Sequence, residues 1–573
     1  MPNFFTENPD LKFHFERFDL RETVGLIEHE YSYARQYAHA PVNYDDAMEN
    51  YWRVLEVVGE LAGGYISDRT ADVDRDGAQL EHGQVQYASG TQEALAQLSK
   101  ADLMGLVVPH QYGGLNFPFT IYCMAVEIIS RADASLMNIF GLQDIADNIN
   151  KFGDVDQRQR YLPGFATGEY TGAMALTEPD AGSDLQSIKT QAYQDGTGQW
   201  YLRGVKRFIT NGCGDILLVM ARSEPGTKDA RGISMYVCRK GDHVKVRRIE
   251  NKLGIHGSPT CELQFNDAPA ELVGKRKLGL IKYVFDLMFR ARMGVSAQGL
   301  GISQQAYELA LKYAKERVQF GKTIYNIPAV TNLLIDMRVM LEANRTLFYH
   351  TAHLVDLKER LEERVEALKR DGRSHVEESL RVKRLLRTAN LLTPLCKLLC
   401  TEGANKITYD ALQVHGGTGY MKEFAIERLA RDARITNIYE GTSQLQVVAA
   451  LGGVVTDALG EWFEEKERKD YKGGLGTLSG YLQETRRIYR ECLQYVTERR
   501  DTSFQEVAGK DLVELYSYAL IGYLLLDQAE TDPRKVFVAN RYILNAASNA
   551  RKNAEAIKSG VFADILHADE ILV

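Results

Sequence analysis

Between residues 187 and 273 the chain reads as a run of short strands. SIKTQAY (187–193) and QWYLRGVKRFI (199–209) flank Asp195-Gly196-Thr197-Gly198, and DILLVMARS (215–223), GISMYVCRK (232–240), HVKVRRI (243–249) and TCELQFND (260–267) follow. Each run is rich in β-branched and aromatic residues and is bounded by Gly, Asp or Asn, the pattern of strands joined by tight turns. The Asp-Gly-Thr-Gly segment predicts a hairpin. So many short strands in one stretch predict a small β-barrel or sandwich.

Helical periodicity lies on both sides. Upstream, Tyr44–Tyr65 and Thr120–Arg131 carry apolar residues three and four apart, separated by the breaker-rich loop VPHQYGGLNFP (108–118). Downstream, helical periodicity returns near Leu278 and continues to about Ala450. Within it, Leu354, Leu357, Leu361, Val365 and Leu368 share one face opposite Glu, Lys and Arg, Asp371-Gly372 breaks the pattern, and a basic helix is expected from about Glu377 to Asn390. This pair predicts a solvated helical hairpin or coiled-coil arm. YKGGLGTLSG (471–480) predicts a linker, with about three further helices after it. Strands gathered in the middle exclude a Rossmann alternation of strand and helix. No Gly-x-Gly-x-x-Gly follows a strand: Gly474-Leu475-Gly476 has Ser479 at the third position.

With 573 residues, 45% hydrophobic and 25% charged, the chain has ordinary globular composition and length for several domains. A net charge of −8 supplies no general field for nucleic acid. Seven cysteines, with no Cys-x-x-Cys among them, exclude a disulfide scaffold and point to free thiols in a reducing compartment, so a cytoplasmic location is expected. The N-terminal MPNFFTENPDLKFHF lacks the pattern of a signal peptide. The longest apolar run, Leu515–Leu526, is far short of the about 20 residues a membrane span needs, so it is read as a buried helix and no integral membrane segment is expected.

Four stretches set polar residues among glycines. Met174–Asp184 supplies hydroxyls, carboxylates and turn backbone that suit a polar heterocycle or phosphate, or an ordinary self-capped turn. Arg207–Gly212 offers Phe208 either as a stacking surface for a flat cofactor or as a core aromatic of a barrel strand. Arg317–Lys322 suits a pyrophosphate, or basic C-capping of a helix. Arg431–Ser443 contains Glu440, flanked by Ile438 and Tyr439, which reads as a desolvated general base or as an acidic residue at a helix N-terminus.

Taken in order, LTEPDAGSD (176–184), RFITNG (207–212), KLGIHGSPT (252–260), ERVQFGK (316–322), QVHGGTGY (413–420) and IYEGTSQLQ (438–446) resemble the acyl-CoA dehydrogenases, over about residues 50–450. The resemblance implies a mainly α fold with a central β-domain: an N-terminal helical domain, a middle β-barrel, a C-terminal four-helix bundle and an extra helical tail. On this chain the expected divisions are an extension over 1–45, the N-terminal domain over 46–170, the β-domain over 171–275, the bundle over 276–450 with the charged insertion 354–390, and the tail over 451–573. The total length and the GIHGSPTCEL segment resemble the larger branch with a C-terminal helical extension.

The resemblance also implies FAD, held without a Rossmann motif. Met174, Leu176 and Thr177 match the segment lining the flavin, Ser183 the CoA pantetheine contact, and Phe208 and Thr210 the flavin cover, where many members carry Trp rather than Phe. Arg317 and Gln319 match residues that reach the pyrophosphate of a partner subunit's FAD. Gln413, Gly416 and Gly417 match the adenosine side; Thr442 and Gln444 match further FAD contacts. Glu440 matches the catalytic base, Gly441 lies beside it in the substrate site, and Arg292 matches a substrate-binding arginine. Ala291 excludes the alternative base position next to that arginine, and Phe289 replaces the Asp or Asn common three residues before it. The implied reaction is α,β-dehydrogenation of an acyl-CoA to a trans-2-enoyl-CoA: Glu440 removes the α-proton, the β-hydride passes to flavin N5, and the electrons go on to an electron-transfer flavoprotein, as in the β-oxidation of fatty acids. A homodimer or homotetramer is expected. Two readings share the scaffold: an acyl-CoA oxidase using oxygen, and a non-catalytic flavoprotein that binds nucleic acid. Residues 451–573 hold 16 Lys and Arg against 20 Asp and Glu, an acidic balance that argues against the second.

Overall fold

The computed structural model describes residues 2–573. The strands of the middle segment are β1 (Gly172–Ala175), β2 (Gln191–Gln194), β3 (Trp200–Thr210), β4 (Ile216–Arg222), β5 (Ile233–Arg239), β6 (Val244–Ile249) and β7 (Thr260–Leu272). Strand β3 lies antiparallel between β2 and β7, and β7 also pairs with β5. Strand β5 pairs with β4, which returns to β2 through the single pair Gln191–Arg222 and closes a five-stranded barrel. Strands β1 and β6 flank it, paired to β4 and β7. The Asp195–Gly198 hairpin joins β2 to β3 as the sequence predicts.

Strand β4 shows why its sequence lacks alternation. Leu217, Val219 and Ala221 enter one apolar cluster with Leu202, Tyr236 and Phe265. Ile216, Leu218 and Met220 enter another with Ile145, Leu162 and Phe165 of the preceding helices. A strand buried on both faces reads as a continuous apolar run. Each fully buried Leu, Met or Phe contributes about 1.5–3 kcal/mol.

The chain divides into two compact units, Met1–Ala306 with Gly416–Thr436, and Tyr307–His415 with Asn437–Val573. In the first, α1 (Phe119–Ala132) is buried along its whole length. The opening residues belong to this core: Phe5 and Phe15 pack edge-on against Trp52, with centroids 4.9 and 5.4 Å away. Helix α2 (Val284–Glu316) starts in the first unit and ends in the second.

The second unit holds the long helices α3 (Pro328–Arg370) and α4 (Val376–His415), which pack together. Helix α5 (Ala425–Thr436) belongs to the first unit, and α6 (Ser443–Val455) packs on α4 in the second. The tail consists chiefly of α7 (Gly474–Glu498), α8 (Thr502–Ala529) and α9 (Pro533–Lys558). Helices α8 and α9 pack on α3, and α8 on α6.

One expectation is corrected in part and another outright. Residues 354–390 do form the expected helical hairpin, with α3 ending at Arg370, a break at Asp371-Gly372 and α4 starting at Val376, and residues 369–388 are solvated; the departure is on the inner part of α3, where Asp356, Lys358 and Glu359 are buried with Leu361, Val365 and Leu368. Charge on a helix face predicts solvent only when nothing packs there. The stretch 471–480 is not a linker, because α7 begins at Gly474 and runs through it. Its glycines are poor helix formers, but Leu478 and Leu482 are buried, and a Cβ at Gly522 of α8 would lie 2.3 Å from Leu482. Close packing of the two helices overrides propensity. Leu515–Leu526 lies buried within α8, and no helix among the described residues is long and apolar enough to cross a membrane.

Candidate functional site

The residues singled out by sequence fall into two groups, one in each unit, except that Gly416 and Gly417 open the short segment of the first unit.

In the first unit, β1 delivers Met174 and ends where Leu176–Asp184 begins. This loop is tied to the end of β3. Lys206, fully buried, donates to the Leu176 carbonyl at 2.7 Å and to Glu178 Oε1 at 2.8 Å. Glu178 also accepts the backbone N–H groups of Lys189 and Thr190, at 2.6 and 3.0 Å. Burial raises the Glu178 carboxyl, but the Lys206 charge and these hydrogen bonds outweigh it, so the group is held below its ordinary value. Burial brings the Lys206 ammonium down to about 8, with Glu178 offsetting part of the effect. The Arg207 N–H donates to the Thr177 carbonyl at 2.9 Å, which sets Thr177 beside the next site residue, Phe208. Ser183 stands exposed further along the same loop.

Phe208 is not a core aromatic. The β3–β7 register slips between Lys206 and Ile209, so Arg207 and Phe208 form a bulge. Phe208 has φ 60° and is 53% exposed, with the Arg207 guanidinium 4.6 Å from its ring centroid. A bulky residue in left-handed backbone costs on the order of 1–2 kcal/mol, and such strain gathers at functional sites. Thr210 is partly buried on the same strand end, and Asn211, also left-handed, donates to the Gly172 carbonyl at 2.9 Å. The result is an exposed ring beside two threonines on a rigid barrel rim, a surface suited to a flat heterocycle. Arg292 lies partly buried on α2, while the nearby Arg290 is held in ion pairs with Asp144 and Asp147 at 3.6 and 3.1 Å. Phe289 is buried.

Gly416 and Gly417 lie exposed just after α4. Gly416 has φ 61°, and a Cβ at either position would meet nothing within 4 Å. Bare backbone in open space lets a ligand approach closely.

In the second unit, Arg317 follows the last residue of α2 and begins a two-residue hairpin, β8 (Val318–Gln319) and β9 (Lys322–Thr323). Phe320 and Gly321 at its turn have φ 54° and 75°, and Phe320 is 91% exposed. Arg317 and Gln319 are therefore presented outward rather than used as helix caps. Gln413 is exposed near the end of α4, where Tyr313 of α2 stacks on His415 at 4.5 Å.

Glu440 is not the helix N-terminal residue that its surroundings suggest. Helix α6 starts at Ser443 and is capped by Thr442, whose Oγ1 accepts the Leu445 N–H at 3.4 Å. Glu440 and Gly441 precede it in left-handed backbone, φ 55° and 93°. The loop is anchored from three sides. Buried Lys397 of α4 donates to the Gly441 carbonyl at 2.7 Å. Buried Gln446 of α6 donates to the carbonyls of Gly441 and Glu440 at 2.9 and 3.2 Å. Glu402 of α4 accepts from Asn437 Nδ2 at 3.0 Å and from the Ser443 hydroxyl. Gln444 is exposed on the first turn of α6.

Sequence reasoning missed Lys206, Lys397, Glu402 and Gln446 as anchors. Lys397 did leave a signal: it is the one charge in the ten-residue run LLTPLCKLLC (391–400). Such a lysine is rarely buried without a specific acceptor. All seven cysteines are free, and among the described residues no cluster of His, Cys, Asp and Glu is arranged to hold a metal.

Comparison with known proteins gives the same assignment over nearly the whole chain. The N-terminal, middle and C-terminal domains of acyl-CoA dehydrogenase match residues 56–169, 173–268 and 281–450, and the acyl-CoA dehydrogenase C-terminal extension matches 456–564. The 3-methylmercaptopropionyl-CoA dehydrogenase of Ruegeria pomeroyi is 32% identical over 76% of this chain and 75% of its own length. An acyl-CoA dehydrogenase of Bacillus subtilis is 37% identical over 62% of this chain and 87% of its own length. The fold matches that of a Bacillus anthracis acyl-CoA dehydrogenase complexed with FAD, with a TM-score of 0.75 at 23% identity, covering 89% of this chain and 88% of that one. The chain belongs to the acyl-CoA dehydrogenase family, in the form that carries the C-terminal extension.

Proposed function

We propose that this chain is an FAD-dependent acyl-CoA dehydrogenase that removes the α-proton and β-hydride of an acyl-CoA thioester. The observation that carries the reading is Glu440, presented on a strained, triply anchored loop just before a capped helix, where the resemblance expects the base. A carboxylate held in a fixed backbone frame needs no rearrangement to meet a substrate α-carbon. The donors fit FAD. The exposed Phe208 ring with Thr177 and Thr210 suits the flavin, together with Met174 and Leu176. Gly416, Gly417 and Gln413 suit the adenosine side, and Thr442 and Gln444 add contacts. When bound, FAD supplies the two-electron acceptor for the β-hydride.

The protein groups have separable tasks. Glu440 takes the α-proton. The Glu440 backbone N–H donates to the thioester oxygen and stabilises charge developing there. Ser183, Arg292 and Gly441 bind and orient the acyl-CoA. Arg317 and Gln319, on an outward hairpin, reach the FAD pyrophosphate of a second copy, so the working form is a homodimer or homotetramer. Electrons pass on to an electron-transfer flavoprotein.

The test is anaerobic addition of acyl-CoA to the purified yellow protein. Flavin bleaching with formation of 2-enoyl-CoA, and slow reoxidation by oxygen, is the expected result. Rapid oxygen consumption on substrate addition would make the chain an oxidase instead. A folded protein that holds no FAD would overturn the reading.

A further inference from the structure

We infer that Lys397 is a positioning residue for the dehydrogenation, setting the backbone frame from which Glu440 acts; this rests on Glu440 being the base. Lys397 lies inside α4, fully buried, yet its ammonium donates to the Gly441 carbonyl at 2.7 Å. That carbonyl belongs to the residue directly after Glu440. Burying an ammonium is costly unless it meets strong acceptors, and a charged donor makes a stronger hydrogen bond than a neutral one.

The loop needs such an anchor. Glu440 and Gly441 are both left-handed, φ 55° and 93°. Glycine adopts that region freely; glutamate does not. A backbone held against its own preference persists only when its surroundings over-determine it. Lys397 grips the far side of this turn, and Gln446 grips both its carbonyls, at 2.9 and 3.2 Å. The two donors converge on Gly441 from different helices, α4 and α6, so the turn is clamped between them. Glu402, about one helical turn beyond Lys397 on α4, accepts from Asn437 and Ser443 and fixes the two ends of the same loop. One stretch of α4 therefore holds both the centre and the ends of the loop. A glutamate one residue from the clamped carbonyl has its backbone, and with it the direction of its side chain, set by Lys397.

The test compares wild-type holoenzyme with Lys397→Met, which keeps bulk and burial but removes the donor, and with Lys397→Gln, which keeps a shorter, neutral donor. Hydrogen exchange of the 439–443 amides is followed in parallel with steady-state and anaerobic flavin-reduction kinetics. In Lys397→Met those amides exchange faster while the rest of α4 stays protected. FAD content and the KM for acyl-CoA stay near wild type, kcat falls about 10- to 100-fold, as misplacement of a reacting group by about 1 Å produces, and the isotope effect of α-deuterated substrate on flavin reduction rises. Lys397→Gln lies between. Wild-type kcat and exchange in Lys397→Met overturn the inference. So does faster exchange spread evenly along α4, which marks a merely structural lysine. Should Lys397→Met fail to fold, wild-type kinetics in Lys397→Gln overturn it equally. Glu440→Gln separates the two readings. If it still reduces flavin with acyl-CoA, the base assignment fails; if it is inert while Lys397→Met is normal, only the positioning role fails.

Discussion

The barrel-rim loop 176–184 and the loop 437–443 are built on the same device with different chemistry. Each carries site residues in polar, irregular backbone, and each is gripped by a fully buried lysine that donates to a carbonyl at 2.7 Å, Leu176 in one and Gly441 in the other. At the rim the lysine also meets a buried carboxylate, Glu178. At the Glu440 loop the same carbonyl takes a second bond from the Gln446 amide. The rim is thus fixed by an ion pair whose loss strands a charge. The Glu440 loop is fixed by bonds from Lys397 and Gln446 that converge on its strained turn, so these anchors set the geometry from which Glu440 acts.

That contrast can be broken by substitution, with the largest loss of stability at the rim. Removing one partner of a buried ion pair typically costs about 3–5 kcal/mol. Lys206→Met should therefore lower the unfolding free energy by that amount in denaturant titration, and Lys206→Met with Glu178→Gln should recover part of it. A loss no larger than that of Lys397→Met would erase the distinction between the loops.

Asp432 is a third buried group, and its carboxyl is pushed up where that of Glu178 is held down. It lies on α5, the helix that leads into the Glu440 loop, and accepts the N–H of left-handed Ile255 at 2.5 Å. Burial pushes its carboxyl up to about 7; the Ile255 bond and Arg428 oppose this, and Asp74 and Asp133 add to it. Between its unfolded value, near 4, and 7 the folded state keeps a proton that the unfolded chain has released. Stability from this group is full below about pH 4 and is lost as pH rises through 7, by on the order of 4 kcal/mol. Asp432→Asn keeps the carbonyl acceptor and should flatten the pH dependence of the unfolding midpoint between pH 5 and 8. An unchanged slope would show that Asp432 is already ionised.

Lys397→Met is expected to cost about 1.5–3 kcal/mol, the range for a hydrogen bond from a charged group. Phe208→Ala should change stability least, within about 0.5 kcal/mol, because an exposed ring on a bulge holds no core together. The same variant should bind FAD more weakly by equilibrium dialysis. A large loss of stability with unchanged FAD affinity would return Phe208 to the core.

The contrast between the loops also shows what sequence could reveal. The barrel was legible because turn residues punctuate its strands; the two-sided burial of β4 came only from the structure. Phe208 was ambiguous because a bulge, which no local composition marks, decides which way that segment faces. Glu440 was legible as a residue but not as a conformation: a helix start explains an acidic residue as well as a left-handed turn does, and only the α6 boundary at Ser443 separates them. The tail glycines misled because Gly474, Gly476 and Gly480 sit in the first turns of a helix that Leu478 and Leu482 bury, so packing of their neighbours and not their own propensity sets the conformation. The hairpin over 354–390 was legible from its Asp371-Gly372 break, but the burial of Asp356, Lys358 and Glu359 was not, because no local pattern marks which charges of a helix face are covered.

The central claim is that Glu440, in its clamped left-handed turn, is the base. The direct measurement is the rate of anaerobic flavin bleaching by acyl-CoA in Glu440→Gln, with FAD content and acyl-CoA binding checked in the same preparation. Removing a positioned general base typically costs about 100- to 10,000-fold. Bleaching slowed by that much or more, with both ligands still bound, is the predicted result. Bleaching at the wild-type rate would place the base elsewhere and contradict the account.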